Sequence, residues 1–579
     1  MQEISKTILK LLNKRGLTSQ EDIAEFLSPS PRRTYDPFLL KNMEEGVSLI
    51  LEEAVKGTRI CIYGDYDADG ITSTTLMLSV LGHITDPGQV DYYIPSRFEE
   101  GYGLNKEAIH QIYQRGAGMI ITVDCGSVSY DEVEYAKELG LKILVTDHHN
   151  VTDTTPDCLV INPKQPDCPY PFKSLAGCGV AFKVAQAIQQ RADLPKAAIN
   201  EVLDLVAIGT VGDIMPLVDE NRTIVKFGMR ILKRGGRAGL ARLIEAVSLK
   251  PAAITSENIS YVIVPHLNAS GRIEDASMAV ELLRCDKAPA AGSPQDLALD
   301  EKVACLVNQN IQRKKLQQET FRSCVKQLEE SGMKNPQAGQ DGGLQDFVLI
   351  RSEDAHEGIA GIVAGKLKET YYRPSVIVTP SAAGPSGTPA KEDVHYLKGT
   401  GRSIPGVSLY ELLKENEFMF EKFGGHASAC GFLMKEEYLP QLTENLLDAM
   451  AKIKKDNPEV FRRTYDIDLS LDPEDMTVDF AKELELLAPF GNGNPKPLFM
   501  MPGVTLEDIR YMGDAEQHMR FYARSHWGRR IQCVLFNDAQ RYGKSVHVRR
   551  PLELIGTLEC QVWQGQERLQ FLVSEIKFD

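Results

Sequence analysis

The 579-residue sequence holds eleven cysteines but no CxxC pair, and the cysteines are scattered. That excludes a paired-cysteine zinc site. An odd, unpatterned set of thiols also argues against a disulfide frame and fits a reducing compartment. No apolar run approaches the ~20 residues that cross a bilayer, and the opening MQEISKTILKLLNKRG has no apolar core of a signal peptide. The expectation is a cytoplasmic protein with no membrane association. Gly 46 and Pro 30 follow no period, so the chain is not a fibrous repeat. An excess of positive charge is missing as well: 65 basic side chains face 80 acidic ones, for a net charge of -15. This excludes a nonspecific nucleic-acid coat. It leaves room for a local basic groove, or for a carboxylate cluster that holds cations.

What is present is ordinary globular composition, 43% hydrophobic and 25% charged. At roughly 150 residues per domain, the length predicts about three to five domains. Leu11, Leu12, Ile23 and Leu27 are spaced for one face of a helical lead-in, which Pro29 and Pro31 stop. From Arg59 onward, short apolar runs alternate with helical stretches. RICIY (59–63), GMIITV (118–123) and LKILVT (141–146) read as strands; a helix is expected from near Thr72 and another over 129–139. DLVAIGTVGDIM (204–215) reads as one more apolar run ending in an aspartate. Strands alternating with helices predict a parallel sheet covered on both faces, whose ligands bind at the carboxyl ends of the strands. Residues 298–331 read as one long helix, 332–343 as a linker, and FVLIRSE (347–353) as the start of a second α/β unit. The last 115 or so residues hold short alternating runs such as RRIQCVLF (529–536) and QERLQFLV (566–573), a pattern for a small β-domain.

Acids terminate the apolar runs. Asp65, Asp67 and Asp69 follow the first, Asp124 the second, Asp147-His148-His149 the third and Asp213 the fourth. Gathering these carboxylates at one sheet edge costs several kcal/mol of repulsion unless cations neutralise them. Carboxylates suit magnesium and manganese, and an imidazole shifts the preference toward manganese or another transition metal. Any one of these motifs alone is more often a solvated turn or a helix cap; four in order are not explained that way.

GDYDADG, VDCG, TDHH and GTVGD stand in the order of motifs I to IV of the DHH phosphoesterase superfamily, which the chain resembles. HLNASGRIEDA (266–276), HEGIAGIVAGKL (356–367), FGGHASACGF (423–432) and LLAPFGNGNPKPLF (486–499) are similar, in collinear order, to segments of its RecJ branch. The resemblance implies a 5′-to-3′ exonuclease that degrades single-stranded DNA to mononucleotides by two-metal-ion hydrolysis, in DNA repair and recombination. It implies an α/β multidomain fold: a parallel-sheet DHH domain joined by a long helix to a DHHA1 α/β domain, plus a C-terminal oligonucleotide-binding (OB) β-barrel. The expected divisions are a lead-in (1–45), the DHH catalytic domain (46–285), a connector with insertion (286–343), the DHHA1 domain (344–455) and the OB-fold domain (456–579).

Site roles follow from the same resemblance. Asp124 is the bridging carboxylate and a catalytic residue. Asp65, Asp67, Asp69, His148 and Asp213 complete the ligand set for two divalent cations, Mn2+ or Mg2+. Asp65 stands where some relatives use a different residue. His149 contacts the phosphoryl group, and Asp147 orients the site from behind the ligands. The sequence departs from the family at Cys125, at Ser127-Val128-Ser129 in place of a family helix cap, in the insertion at 286–294 and in the loop 380–391.

The strand itself needs cations and platforms. Arg97 can pair with a phosphate and Tyr102 can stack on a base, against the plainer reading of a salt bridge to Glu99 or Glu100. Arg272, Arg402 and Ser403 sit among glycines that admit a phosphate, or else serve turn chemistry. The resemblance places the 5′ phosphate with them, His426 at the scissile phosphate as a third catalytic residue beside His149 and Asp124, and His356 among the strand contacts. From 520 to 550, Arg520, Arg524, Arg529, Arg530, Arg541, Lys544, Arg549 and Arg550 face the single acid Asp538. Phe521, Tyr522, Trp527, Phe536 and Tyr542 are interleaved, with Phe536 expected in the core. Cations with aromatic platforms mark single-strand binding, led here by Arg520, Arg529 and Arg530. The expected partner is single-stranded DNA with a 5′ end. A single-strand-binding protein or a helicase enters only by association, and a monomer is expected. The competing reading is a phosphodiesterase of the same superfamily acting on short oligonucleotides or cyclic dinucleotides, which would not need the basic C-terminal domain.

Overall fold

The structure, a computed structural model, describes residues 4–98, 100–331, 344–381, 384, 394–514, 516–547, 550–563 and 565–578. Glu99, Arg549, the linker 332–343 and most of the loop 380–391 lie outside the described residues, as does the side chain of Lys544. The chain forms two compact units, one of residues 35–215 with 227–463, the other of residues 1–34, 216–226 and 464–579.

The larger unit opens on five strands: β1 (Ile60–Tyr63), β2 (Val90–Tyr93), β3 (Met119–Val123), β4 (Lys142–Thr146) and β5 (Leu159–Ile161). All pair in parallel, in the order β2-β1-β3-β4-β5. The central strands are apolar throughout because both faces are covered, and β1 and β3 are buried along their whole length. Helices Ala68–Leu81, Lys106–Gln114 and Tyr130–Glu138 connect them. Neighbouring strands lie ~4.8 Å apart, so residues following the carboxyl ends of β1, β3 and β4 stand in a row. Those residues include Asp65, Asp124 and Asp147.

Two expectations change here. The first helix begins at Ala68 rather than near Thr72, because Asp67 caps it by accepting from the Asp69 and Gly70 amides at 2.9 and 3.2 Å. The run 204–215 is not a strand but the helix Leu203–Gly212, so Asp213 follows a helix C-terminus. Every residue from Leu203 to Val211 is buried. A helix covered on all sides carries no period, and an apolar run of that length reads like a buried strand.

The helix Pro294–Glu330 is capped by Ser293 and spans about 55 Å at 1.5 Å per residue. It starts four residues before the predicted start, directly after the insertion. Leu299, Val303 and Leu306 bury its first half against helices Ala238–Ala246, Val264–Ile273 and Ser277–Leu283. Cys324 and Leu328 anchor its far end in the core of the second α/β sheet, with Val348, Ile350, Ile359 and Val363. That sheet comprises β6 (Val348–Arg351), β7 (Ser375–Ser381), β8 (Tyr396–Arg402), β9 (Phe420–His426) and β10 (Ala429–Lys435), in the order β6-β7-β8-β10-β9. Only the β6–β7 pair is parallel.

In the smaller unit, β11 (Leu469–Ser470), β12 (Phe499–Met512), β13 (His518–Arg524), β14 (Arg530–Leu535), β15 (Leu552–Trp563) and β16 (Gln566–Lys577) form one sheet. β12 pairs with both β13 and β15, so the pairing β12-β13-β14-β16-β15 returns to its first strand. The lead-in proves to be two helices, Lys6–Lys14 and Gln20–Leu27, capped by Ser5 and Ser19 and separated by a turn with Gly16 at φ 80°. Ile8, Leu11 and Leu12 are fully buried in the same core as Met501, Phe521, Phe571 and Ile576. The N-terminal helices are therefore structural members of the β-unit. Leu12→Ala should cost about 2–5 kcal/mol in denaturant unfolding of that unit; a loss under about 0.5 kcal/mol would contradict this packing.

Candidate active site

The acids after β1, β3 and β4 meet the helix-borne Asp69 and Asp213. Asp124 takes a left-handed conformation (φ 63°), which an aspartate tolerates, and its amide donates to Thr146 O at 3.1 Å. Ligand atoms of Asp65, Asp67 and Asp124 lie within 4.8 Å of one another; so do those of Asp69, His148 and Asp213, and those of Asp124, His148 and His149. His148 Nε2 stands 3.0 Å from Asp124 Oδ1, 3.5 Å from Asp213 Oδ2 and 3.8 Å from Asp69 Oδ2. Asp124 thus belongs to the Asp65–Asp67 group and abuts the Asp69–His148–Asp213 group. The structure brings all six sequence-predicted ligands together.

The atoms facing the centre lack partners. Asp65 Oδ1, Asp124 Oδ1, both His148 ring nitrogens and Asp213 Oδ2 are buried without a hydrogen bond. Such orphans are rare in native interiors and ask for an explanation. Burial, reinforced by the neighbouring carboxylates, pushes Asp65 and Asp213 up to about 8 and Asp69 up to about 6, and holds Asp124 well above the usual carboxylate range. Burial, with the His149 charge, pushes His148 down to about 3, so its ring is neutral and able to ligate. Five carboxylates and a neutral imidazole fit divalent cations that take oxygen and nitrogen donors.

The surroundings fix these groups. Asp147 faces His149 rather than His148 with its side chain: Oδ1 accepts from the His148 and His149 amides at 2.7 and 3.1 Å and pairs with His149 Nδ1 at 2.8 Å, while Oδ2 accepts from the Ser127 amide at 3.0 Å. Burial lowers His149, but the Asp147 hydrogen bond and charge overcome it and raise the ring to about 9. Tyr102 does not stand apart as a platform. Its hydroxyl lies 3.0 Å from His149 Nδ1 and 3.3 Å from Asp124 O, with the ring edge-on to His149 at 5.5 Å.

Sequence reasoning missed the segment that holds Asp69. The Gly177 and Cys178 amides, at the start of the helix Gly177–Arg191, donate to Asp69 Oδ2 and Oδ1 at 2.6 and 2.9 Å. A Cβ on Gly177 would lie 2.6 Å from Asp124 Cβ, so only glycine fits between the two ligands. The signal was the GCG triplet opening an apolar helix. Lys164 was missed as well; its charge acts on Asp213, His148 and Asp147.

A second cluster is cationic. Arg97 lies 3.9 Å over the Tyr66 ring, with its Nε buried and unpartnered. Glu100 is occupied by Tyr93, Asn105 and the Ser96 amide, so no Arg97–Glu100 bridge forms; Glu99 is outside the described residues. Arg272 donates to Gly358 O at 2.9 Å, and burial together with the charges of Arg97, Arg313 and Arg402 pushes it down to about 9. Arg402 donates to Gly401 O at 2.8 Å, and a Cβ on Gly361 would come within 3.2 Å of its Nη2. Arg97, Arg272 and Arg402 are therefore neighbours.

Other expectations change. Ser403 spends its hydroxyl on Val407 O at 2.7 Å, so turn chemistry wins there. His356 caps the helix Glu357–Tyr371 and sets its ring edge-on to Phe98 at 5.1 Å. His426 is exposed at the end of β9, and no described contact joins it to the acidic cluster. In the smaller unit, the acid-poor stretch is balanced by acids from other strands. Arg524 and Arg530 pair with Glu507, Arg530 also with Asp508, and Arg541 with Glu575; Arg529 donates to Met476 O at 2.6 Å. Arg520 instead stands opposite Arg510 in the β12–β13 ladder. Phe536, expected in the core, is 54% exposed, because β14 ends at Leu535 before it.

With this geometry in view, three family models match the chain: the DHH family, N-terminal domain over 59–210, the DHHA1 domain over 344–455 and the RecJ OB domain over 467–575. The single-stranded-DNA-specific exonuclease RecJ of Bacillus subtilis is 35% identical over 99% of this chain and 68% of its own length. That of Escherichia coli is 31% identical over 99% of this chain and 96% of its own. The crystal structure of RecJ in complex with Mn2+ from Thermus thermophilus superposes with a TM-score of 0.79 at 27% identity, covering 100% of this chain and 76% of that one. Its Mg2+ complex gives 0.73 at 25% identity, covering 100% and 75%. Among the described residues, no helix is long and apolar enough to cross a membrane.

The raised carboxylates give a pH test. Asp65, Asp69 and Asp213 bind more protons folded than unfolded, so their contribution is present below about 4 and is lost as pH rises through about 6 to 8. A dication relieves the same repulsion. Chelated protein should melt lower at pH 8 than at pH 6, and saturating Mn2+ should raise the melting temperature more at pH 8. Equal gains at both pH values would contradict the assignment.

Proposed function

We propose, for a chain that belongs to the RecJ family of single-stranded-DNA-specific exonucleases, that it removes mononucleotides from the 5′ end of single-stranded DNA by metal-assisted hydrolysis. The observation that carries this reading is the set of buried, unpartnered donor atoms on Asp65, Asp124, His148 and Asp213. Asp65, Asp67, Asp69, Asp124, His148 and Asp213 would hold two divalent cations, Mn2+ or Mg2+, Asp124 lying in ligand reach of both groups. When bound, such a pair lowers the pKa of a water and offsets charge on the leaving oxygen.

The remaining work falls to the chain's own side chains. His149, kept protonated by Asp147, offers Nε2–H to a phosphoryl oxygen. Tyr102 limits the freedom of the His149 ring. Arg97, Arg272 and Arg402 receive the terminal phosphate, which charge-assisted pairing with guanidinium favours. Asp147 positions His149. His356, through Phe98, braces the loop that carries Arg97 and Tyr102. Arg520, with Arg510 opposite, offers the cationic part of the OB surface, and exposed Trp527 and Phe536 offer stacking faces. The domain division 46–285, 344–455 and 456–579, a monomeric state, a cytoplasmic location, and a single-strand-binding protein or helicase as partner belong to the same proposal.

The test is digestion of single strands labelled at one end or the other, with Mn2+, with Mg2+ and with chelator. Labelled mononucleotide should appear at once from the 5′ label only, a matched duplex should be spared, and chelator should stop the reaction. Asp124→Ala should lower kcat by about a thousandfold or more while strand affinity stays within about threefold. Cleavage by Asp124→Ala would sink the site, and no release from either label, with hydrolysis of dinucleotides or pyrophosphate instead, would move the activity to small substrates.

A further inference from the structure

One cation beside the acidic cluster has no role in the account above. Lys164 follows β5, the last strand of the order β2-β1-β3-β4-β5. Arg97 follows β2, at the opposite end of that order. Asp65, Asp124 and the triplet Asp147-His148-His149 follow the three strands between them. At ~4.8 Å per strand the carboxyl edge spans about 19 Å from β2 to β5. Lys164 therefore stands one strand beyond His148 and His149, on the side away from Arg97.

A single buried amide places it. Asn162, directly after β5, has no exposed surface. Its Nδ2 donates to Ser127 Oγ at 2.8 Å and to His149 O at 2.9 Å, and its Oδ1 accepts from the Lys164 amide at 2.8 Å. One side chain thus ties Lys164 to the segment after β3 and to the histidines after β4. Ser127 opens the stretch 127–129 that departs from the family pattern, and here its hydroxyl serves this connection. The Lys164 ammonium is half-buried. Its charge acts on Asp147 and Asp213, yet it forms no hydrogen bond or ion pair among the described residues. Two other lysines tied to the 164–173 segment are committed: Lys173 donates to Cys168 O at 2.6 Å, and Lys41 pairs with Asp167 at 2.7 Å.

An ammonium held at the rim of an acidic cluster, but paired with none of its members, is open to an anion from outside. A compact charge with three donors on a flexible stem suits the single charge of an internal phosphodiester. The phosphodiester at the acids is already faced by His149. With the 5′ end toward β2, the rest of the strand leaves past β4 and β5, where Lys164 stands. We propose that Lys164 binds the phosphodiester immediately 3′ of the scissile one, and that Asn162 is its positioning residue. Lys164 then grips the part of the strand that remains after each cut. The inference rests on the 5′-end reading of the function.

The test follows single-turnover release of the 5′-labelled first nucleotide by the full-length protein in saturating Mn2+, over a range of protein concentrations. Three single strands of one sequence are compared: all phosphodiester, one with a neutral methylphosphonate at the second linkage, and one with it at the fifth. For the wild type, the neutral second linkage should raise the half-saturating concentration about fivefold or more, with the limiting rate within about twofold. Lys164→Ala should show that raised value already on the all-phosphodiester strand, and no further rise with the neutral second linkage. Lys164→Arg, which keeps the charge, should keep the wild-type sensitivity. The neutral fifth linkage should affect wild type and Lys164→Ala alike. A Lys164→Ala protein that still responds to the second linkage as wild type does, or that loses limiting rate at an unchanged half-saturating concentration, would overturn the role of Lys164 and leave the 5′-end reading intact. Equal losses on all three strands relative to wild type would mark a charge-balancing or folding role and overturn it as well. A wild type that digests from the 3′ end would overturn both readings.

Discussion

Mutual repulsion among Asp65, Asp67, Asp69, Asp124 and Asp213 is the constraint that the catalytic sheet is built around. Two unit charges 4 Å apart repel by about 4 kcal/mol in a medium of intermediate polarity, and here several such pairs coexist in a largely buried space. The fold answers with donors from its own backbone. Asp67 is held by the amides that start its helix, Asp69 by the Gly177 and Cys178 amides, and Asp147 by three amides. What the backbone leaves unpartnered is Asp65 Oδ1, Asp124 Oδ1, His148 and Asp213 Oδ2, and these converge. The parallel sheet explains why: adjacent strands ending at one edge bring Asp65, Asp124 and Asp147 into line before any side chain is chosen.

The arginine cluster is the counterpart of opposite sign. The acids sit at the carboxyl edge of the first sheet, and the arginines gather from a loop, a helix and strand β8 of the second sheet. The connector helix ties the second group together. Its near half packs on the catalytic sheet domain and its far half on the second sheet, so Arg272 and Arg402 are held in register from opposite sides. Glycines at 358 and 361 let the helix Glu357–Tyr371 come close to both.

Much of this was legible in the sequence because it is written in short contiguous signals. Strands β1, β3 and β4, the acids that follow them, and the connector helix all read correctly from apolar runs and their punctuation. What failed had a physical cause in each case. The helix Leu203–Gly212 is buried on every side and so carries no period. The balance of Arg524, Arg530 and Arg541 by Glu507, Asp508 and Glu575 comes from strands distant in sequence, invisible to a count along one segment. What the hydroxyls of Ser403 and Tyr102 touch is decided by local geometry that residue type does not reveal.

The central claim is that Asp124 joins two cation sites into one centre. The direct measurement is Mn2+ binding to chelator-treated protein, followed by calorimetry and by electron paramagnetic resonance. The account predicts two Mn2+ per chain with a spin-coupled spectrum, and loss of both the coupling and at least one ion in Asp124→Ala. A single ion per chain, or two uncoupled ions indifferent to Asp124, would contradict it.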